Sequence, residues 1–373
     1  MADSGPKTTR RDFISQSALF TGGIGLGLDF TGRDFVAESE TENGFSSYQK
    51  QRREALWGLL GDLPWQYEPG PPKVVHTEEH NGYTLERLVL DLNGIEPVPA
   101  LLLIPKRLSR PAPGLLFIHW HAGMYDLGKE QLLRGTNVQP AYAPVLAEMG
   151  VVTLAIDSWC FGERQHDTNG HRGEEDAFKL MLWRGQVLWG MMMFDEFRAL
   201  SYLASREEVD SQRLGVSGMS MGSTKSWWLA ALDPRVSVTI DICCLTDFES
   251  LIAAHWLSGH SIFYYVPSLL KEFDTTGINE LIVPRPHLSV NGRKDPLTPP
   301  GGVDKIRENL LPLYRLHGRE EDCRIELFDC AHEETPEMRS MIIDWMRRYL
   351  VAQKPARSSW PPSAQMGQFA NGS

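Results

Sequence analysis

Cysteine is scarce in this chain and badly spaced for chemistry. Its five copies, at 160, 243, 244, 323 and 330, include one adjacent pair and no C-x-x-C. That excludes zinc-ribbon and thioredoxin-type patterns. Scattered thiols of this kind read as small buried hydrophobes, with one disulfide left open to an exported protein. Positive charge is also short: 37 Lys and Arg against 48 Asp and Glu give a net −11. Such a balance argues against nucleic acid or an anionic membrane surface as partner. Beyond the N-terminus no segment is apolar for long enough to approach a membrane span. No repeat recurs, and no linker divides the body. What remains is 42% hydrophobic and 23% charged over 373 residues, enough for a sizeable core.

The N-terminus reads TTRRDFISQSALFTGGIGLGL, with Arg10 and Arg11 paired ahead of Phe13, Ile14 and a weakly apolar, glycine-rich stretch. It is similar to a twin-arginine signal peptide, whose arginine pair is an address for export. Residues 1–37 are expected to be leader, 45–351 one domain, and 352–373 a disordered tail. Export implies a periplasmic or secreted protein; without use of the leader it is cytoplasmic.

Along the body, SSYQKQRREALWGLL (46–60) predicts an amphipathic helix. Strands are expected at 73–79 and 83–90, joined by the hairpin signal Asn81-Gly82, and at 97–105 between prolines. APGLLFIHW then gives a continuous apolar run for a strand buried on both faces. From there the pattern alternates: helix near 140–149, strand 151–156, one long helix at about 175–205, strand RLGVSG, helix SMGSTKSWWLAAL, strand VSVTIDICC. After an irregular stretch come strand HLSVNG, a helix near 302–317, strand RIELFD and a helix near 335–350. Alternation of this kind builds βαβ units: an α/β fold with a mostly parallel central sheet and helices on both faces.

GVSGMSMG (215–222) falls between the strand RLGVSG and its helix, which is where a nucleophile elbow belongs. The turn forces a serine into strained backbone angles, so the positions two away on either side must be small. Ser220 needs a base and an orienting acid. The expected chain order is Ser, Asp, His. Asp295 follows HLSVNG in the sequence GRKDP, and His332 follows RIELFD ahead of the last helix. Both stand outside the carboxyl ends of strands, where catalytic groups gather. The oxyanion is assigned to the backbone N–H of Met221 and that of His121, with Trp120 as the alternative donor. The ring of His119 is read as structural, because one base suffices.

From about 73 to 350 the chain resembles the α/β-hydrolases of the dienelactone hydrolase and acetyl xylan esterase-like group. The matching pieces are VPALLLIP, H-x-H-x-G at 119–123, DSWCFGER at 157–164, VDSQRLGVSGMSMGS, ALDPRV and NGRKDP. The resemblance implies hydrolysis of carboxylic esters, often on carbohydrates, without a cofactor, and supports Ser220 as nucleophile, His332 as base and Asp295 as orienting acid. Serine at the elbow, where a dienelactone hydrolase has cysteine, points away from that activity. Trp120 stands where the group carries glycine, so its indole is expected to limit acyl length and favour acetyl esters.

Trp159 and Glu163 are expected at the rim of the cleft, with Arg164 and Asp157 bracing their loop by pairing. Residues 245–285 are expected to form a small cap, with His260 and Tyr264 among its pocket-lining rings and His255, Trp256 and Tyr265 beside them, whereas Trp227 and Trp228 read as packing. No metal site is expected. The partner is a small-molecule or carbohydrate ester. Two rival readings are a prolyl-oligopeptidase-like peptidase, for which the chain has no room for a propeller, and a catalytically silent binding protein on the same scaffold. Aspartate would be needed at position 220 for a haloalkane dehalogenase, so that reading is excluded.

Overall fold

A computed structural model describes residues 42–108, 111–165 and 170–352. The leader with its arginine pair, and all but the first residue of the expected tail, lie outside them. The chain divides after Tyr48 into two units. In the first, the described residues form the beginning of helix α1 (Glu42–Gly58). Everything below concerns the second, from Gln49 onward.

Among the described residues nine strands form one sheet in the order β1-β2-β3-β5-β4-β6-β7-β8-β9. β1 (Lys73–Glu79), β2 (Tyr83–Leu90) and β3 (Val98–Pro105) run antiparallel, the first two joined at Asn81-Gly82 as expected. β3 is antiparallel to β5 (Val152–Ile156). All remaining pairs are parallel, through β4 (Ala112–Ile118), β6 (Val209–Met219), β7 (Val236–Ile242), β8 (His287–Gly292) and β9 (Cys323–Phe328). β4, β5 and β8 are buried at every residue, because helices cover both faces of a parallel sheet. Successive side chains of β4 show the two layers. The space above Gly114 is filled by Leu203 of helix α4, whereas Leu115 points the other way, toward Leu350 at the C-terminal end.

α2 (Ala143–Glu148) precedes β5. The region expected as one long helix is two, α3 (Gly170–Trp183) and α4 (Leu188–Ser205). The break is at Gly185, whose φ of 77° no helix accommodates. α5 (Met221–Leu232) follows β6 and is buried along its whole length. Residues 245–285 contain α6 (Phe248–Ala253), α7 (Thr275–Asn279) and three single 3₁₀ turns between them. α8 (Pro300–Leu316) leads to β9. α9 (Pro336–Trp345) is capped by the Thr335 hydroxyl and continues as a π-helical turn to Val351. Among the described residues no helix is long and apolar enough to cross a membrane.

β5 and β6 lie on opposite sides of β4, so the connections leaving β4 and β6 diverge from adjacent strand ends. This is the switch point at which open α/β sheets place their ligands.

Candidate active site

Ser220 sits between β6 and α5 with φ 59° and ψ −116°, a conformation an L-residue holds only when its surroundings enforce it. The enforcement is visible. Its N–H donates to the Ile242 carbonyl at 2.9 Å, and Thr224 N–H returns a bond to its carbonyl at 3.0 Å. A methyl group added to Gly218 would come within 2.4 Å of the Ile118 carbonyl oxygen, and one on Gly222 within 2.1 Å. Only hydrogen fits at either position. Ser220 is 8% exposed, at the mouth of the turn.

The strand ends beside it carry the other two expected groups. Asp295 lies in the turn after β8, buried, with Oδ1 accepting the Leu297 N–H at 2.9 Å. Its Oδ2 is 2.6 Å from His332 Nδ1 in the loop after β9, while the imidazole itself stays 23% exposed. The two loops are sewn together by backbone bonds, Arg293 N–H to Phe328 O and Lys294 N–H to Cys330 O. Ile242, which anchors Ser220, is followed by Cys243, and ligand atoms of Cys243, Asp295 and His332 lie within 4.8 Å of one another. The elbow and the His–Asp pair therefore share one end of the sheet.

Thiol, carboxylate and imidazole could in principle grip a cation. Cys243, however, gives its S–H to the Glu333 carbonyl at 3.5 Å, and burial pushes its pKa well up. Metal binding needs the thiolate. Asp295 is already committed to His332 and the Leu297 amide, so the set suits proton transfer better than coordination.

The loop after β4 carries the two residues expected as alternative oxyanion donors. Trp120 N–H donates to Gln131 Oε1 at 2.8 Å. His119 is structural, as expected. Its Nε2 accepts the Ser158 N–H at 3.1 Å, its Nδ1 lies 2.8 Å from the Trp120 carbonyl, and burial lowers its pKa to about 3. The ring is a neutral brace.

The expected pocket residues differ in burial. Trp120 is 4% exposed and belongs to the core cluster with Leu103, Phe117, Leu132 and Tyr142. Its indole packs in the core. Glu163 is solvent-exposed and paired with Lys129 at 2.5 Å. Trp159 is buried beneath the Arg164 guanidinium, 4.6 Å above its ring. Asp157 and Arg164 do brace that loop: Arg164 Nη1 donates to the Asp157 carbonyl at 2.9 Å, while their side-chain ion pairs are with others, Asp157 with Lys129 and Arg164 with Glu96 and Asp195. In the 245–285 insertion Tyr264 is buried against Phe248 and His260, a cap core ring, whereas Trp256 is 42% exposed. His260 reaches the acid loop itself, its Nε2 3.2 Å from the Leu297 carbonyl. Burial lowers its pKa to about 4, with Asp295 and His332 among the charges that act on it. Trp227 and Trp228 are fully packed, and all five cysteines are buried and free.

Two buried clusters escaped the sequence reading. Lys225, on α5, bonds Ser158 Oγ at 2.5 Å and Glu196 Oε1 at 3.1 Å. Burial lowers the lysine's pKa and raises that of Glu196. Glu174, on α3, accepts from His121, Tyr125 and Ser261. Nothing local marks either residue, because the partners are distant in sequence.

Residues 31–326 match the Abhydrolase family. The chain belongs to that family. The curated protein named "Putative hydrolase YtaP" from Bacillus subtilis (strain 168) is 41% identical over 302 residues, 80% of this chain and 99% of its own length. Among solved structures, methylesterase BT1017 superposes with a TM-score of 0.64 at 19% identity, covering 85% of this chain and 66% of that one. Acetyl xylan esterase 1 from Thermoanaerobacterium sp. JW/SL YS485 does so with 0.53 at 18%, covering 81% and 93%. At such identities the structural likeness speaks for the fold, the α/β-hydrolase arrangement expected from the sequence.

Proposed function

We propose that this Abhydrolase member hydrolyses carboxylic esters through Ser220, His332 and Asp295, acting on short acyl esters, acetyl above all, of carbohydrates or related small molecules. The observation that carries the proposal is the 2.6 Å His332–Asp295 bond at the sheet end that holds Ser220 in its strained turn. With Nδ1–H donated to Asp295, His332 keeps Nε2 as a base. It takes the Ser220 hydroxyl proton as Oγ attacks the ester carbonyl. The oxyanion of the tetrahedral adduct is received by the N–H groups of Met221 and His121, the former at the N-terminus of α5. Collapse expels the alcohol, to which His332 returns the proton. Water, deprotonated by the same ring, then releases the acid and restores Ser220.

The carbohydrate ester substrate is supported by the esterase names of the structures that share the fold and by the resemblance in H-x-H-x-G and NGRKDP. The insertion carrying His260 covers the acid loop, so the alcohol part of the ester is assigned to it. The twin-arginine leader makes the site of action the periplasm or the exterior. Labelling with a fluorophosphonate tests the nucleophile: wild-type protein should be labelled and Ser220→Ala should not. A panel of 4-nitrophenyl acetate, acetylated sugars and glucuronate methyl esters tests the substrate class. Turnover of none of the three sinks the esterase reading.

A further inference from the structure

The carboxylate of Glu174 is completely shielded from solvent, and one of its oxygens gathers three donors. Oε2 accepts from His121 Nε2 at 3.1 Å, from the Tyr125 hydroxyl at 2.9 Å and, in a short bond, from Ser261 Oγ. The first two come from the loop after β4; the third comes from the 245–285 insertion. A buried carboxylate is costly to desolvate, and an apolar side chain would fill its place more cheaply. Burial raises its pKa, but the bonds from His121, Ser261 and Tyr125 outweigh this and hold it below the ordinary value.

The ring of His121 is gripped at both nitrogens. Nδ1 accepts the Gly123 N–H at 3.0 Å, which leaves Nε2–H to donate to Glu174. Between these residues the backbone is left-handed twice in succession, at Ala122 (φ 43°) and Gly123 (φ 69°). Alanine resists that conformation, so the loop needs an external clamp to keep its shape. The insertion adds a second hold on the same ring, with Phe263 stacked on His121 at 5.4 Å and 27°.

We infer that Glu174 is the positioning residue of the oxyanion loop: it fixes the His121 peptide N–H against the reacting carbonyl and ties that placement to the seating of the 245–285 insertion through Ser261. The inference rests on the assignment of Ser220 and His121 proposed above. It gives the insertion a part in the chemistry as well as in substrate choice, because a displaced insertion releases one of the three bonds that hold the loop.

The test uses the full chain with 4-nitrophenyl acetate. Glu174→Ala strands three donors, and its kcat is expected to fall ten- to a hundredfold with KM within threefold, since oxyanion contacts are made only in the transition state. Glu174→Gln keeps an acceptor oxygen and should restore most of that loss. Affinity for a trifluoromethyl ketone, which mimics the tetrahedral adduct, should weaken in step with kcat. If Glu174→Ala does not fold, Tyr125→Phe and Ser261→Ala each remove one donor, and each should lower kcat three- to tenfold at constant KM. Unchanged kcat, or a rise in KM alone, overturns the assignment. Fluorophosphonate labelling separates the two levels. An unlabelled wild type overturns the catalytic reading and this inference with it, whereas a labelled wild type with unaffected Glu174, Tyr125 and Ser261 variants overturns only the role of Glu174.

Discussion

Nδ1 of His332 and Oδ2 of Asp295 lie 2.6 Å apart although 37 positions separate them in the chain. The bond closes two loops that leave neighbouring strands, β8 and β9, and it commits the Nδ1 side of the imidazole. Asparagine at 295 keeps the size of the side chain but can present its amide N–H to the ring and select the wrong tautomer. Asp295→Asn should therefore lower kcat by roughly four orders of magnitude with a thermal midpoint close to wild type. A loss below tenfold in steady-state ester hydrolysis would remove Asp295 from the triad.

Trp120 is a core ring, so shortening it should be felt in stability. Trp120→Ala is expected to cost about 3–5 kcal/mol in denaturant unfolding, while the ratio of kcat/KM for acetyl over butyryl esters changes less than threefold. A tenfold shift of that ratio toward butyryl would place the indole against the acyl group after all.

Acid stability follows from two histidines. Burial lowers His119 from 6.5 to about 3 and His260 from 6.5 to about 4. Below pH 6.5 the unfolded chain binds protons at these rings that the folded chain refuses. Their contribution to stability is therefore complete above 6.5 and is lost as pH falls toward about 4 and then about 3. Each ring adds roughly 1.4 kcal/mol per pH unit at most. His119→Gln, compared with wild type by denaturant unfolding between pH 7 and 4.5, should show a shallower fall by about one proton. Parallel curves would show that His119 is not held neutral.

The arginine pair gives a test in cells. Replacing both Arg10 and Arg11 by lysine should leave unprocessed protein in the cytoplasm of a host with a twin-arginine pathway. Continued export of the double variant would remove the leader from the account.

Strand and site positions were legible for different reasons. β2 and β8 could be bounded from sequence because Asn81-Gly82 marks the start of the first and GRKDP the end of the second. The meeting of Asp295 and His332 could be anticipated because parallel strands present their carboxyl ends to one place, so position along the chain implies position in space. The burial of Trp120 was not legible because a residue's place beside a loop does not give the direction of its side chain. The break at Gly185 was missed because apolar residues continue at helical spacing across it. Glu174 was illegible: its three donors are 53, 49 and 87 positions away, and in sequence it is one acidic residue in the run GEED.

The Ile118 carbonyl oxygen is the nearest neighbour of both elbow glycines, and three residues later the same strand end delivers His121. Ser220 and the His121 peptide thus hang from one backbone pivot. Their mutual alignment depends on how β4 meets β6 and α5, with Glu174 holding the His121 ring from outside. Directed evolution of this scaffold would find residues 216–224 almost immutable. The 245–285 insertion is the place to spend diversity, and grafts there should carry Ser261 and Phe263 with them so that the pivot and its outer clasp stay in register.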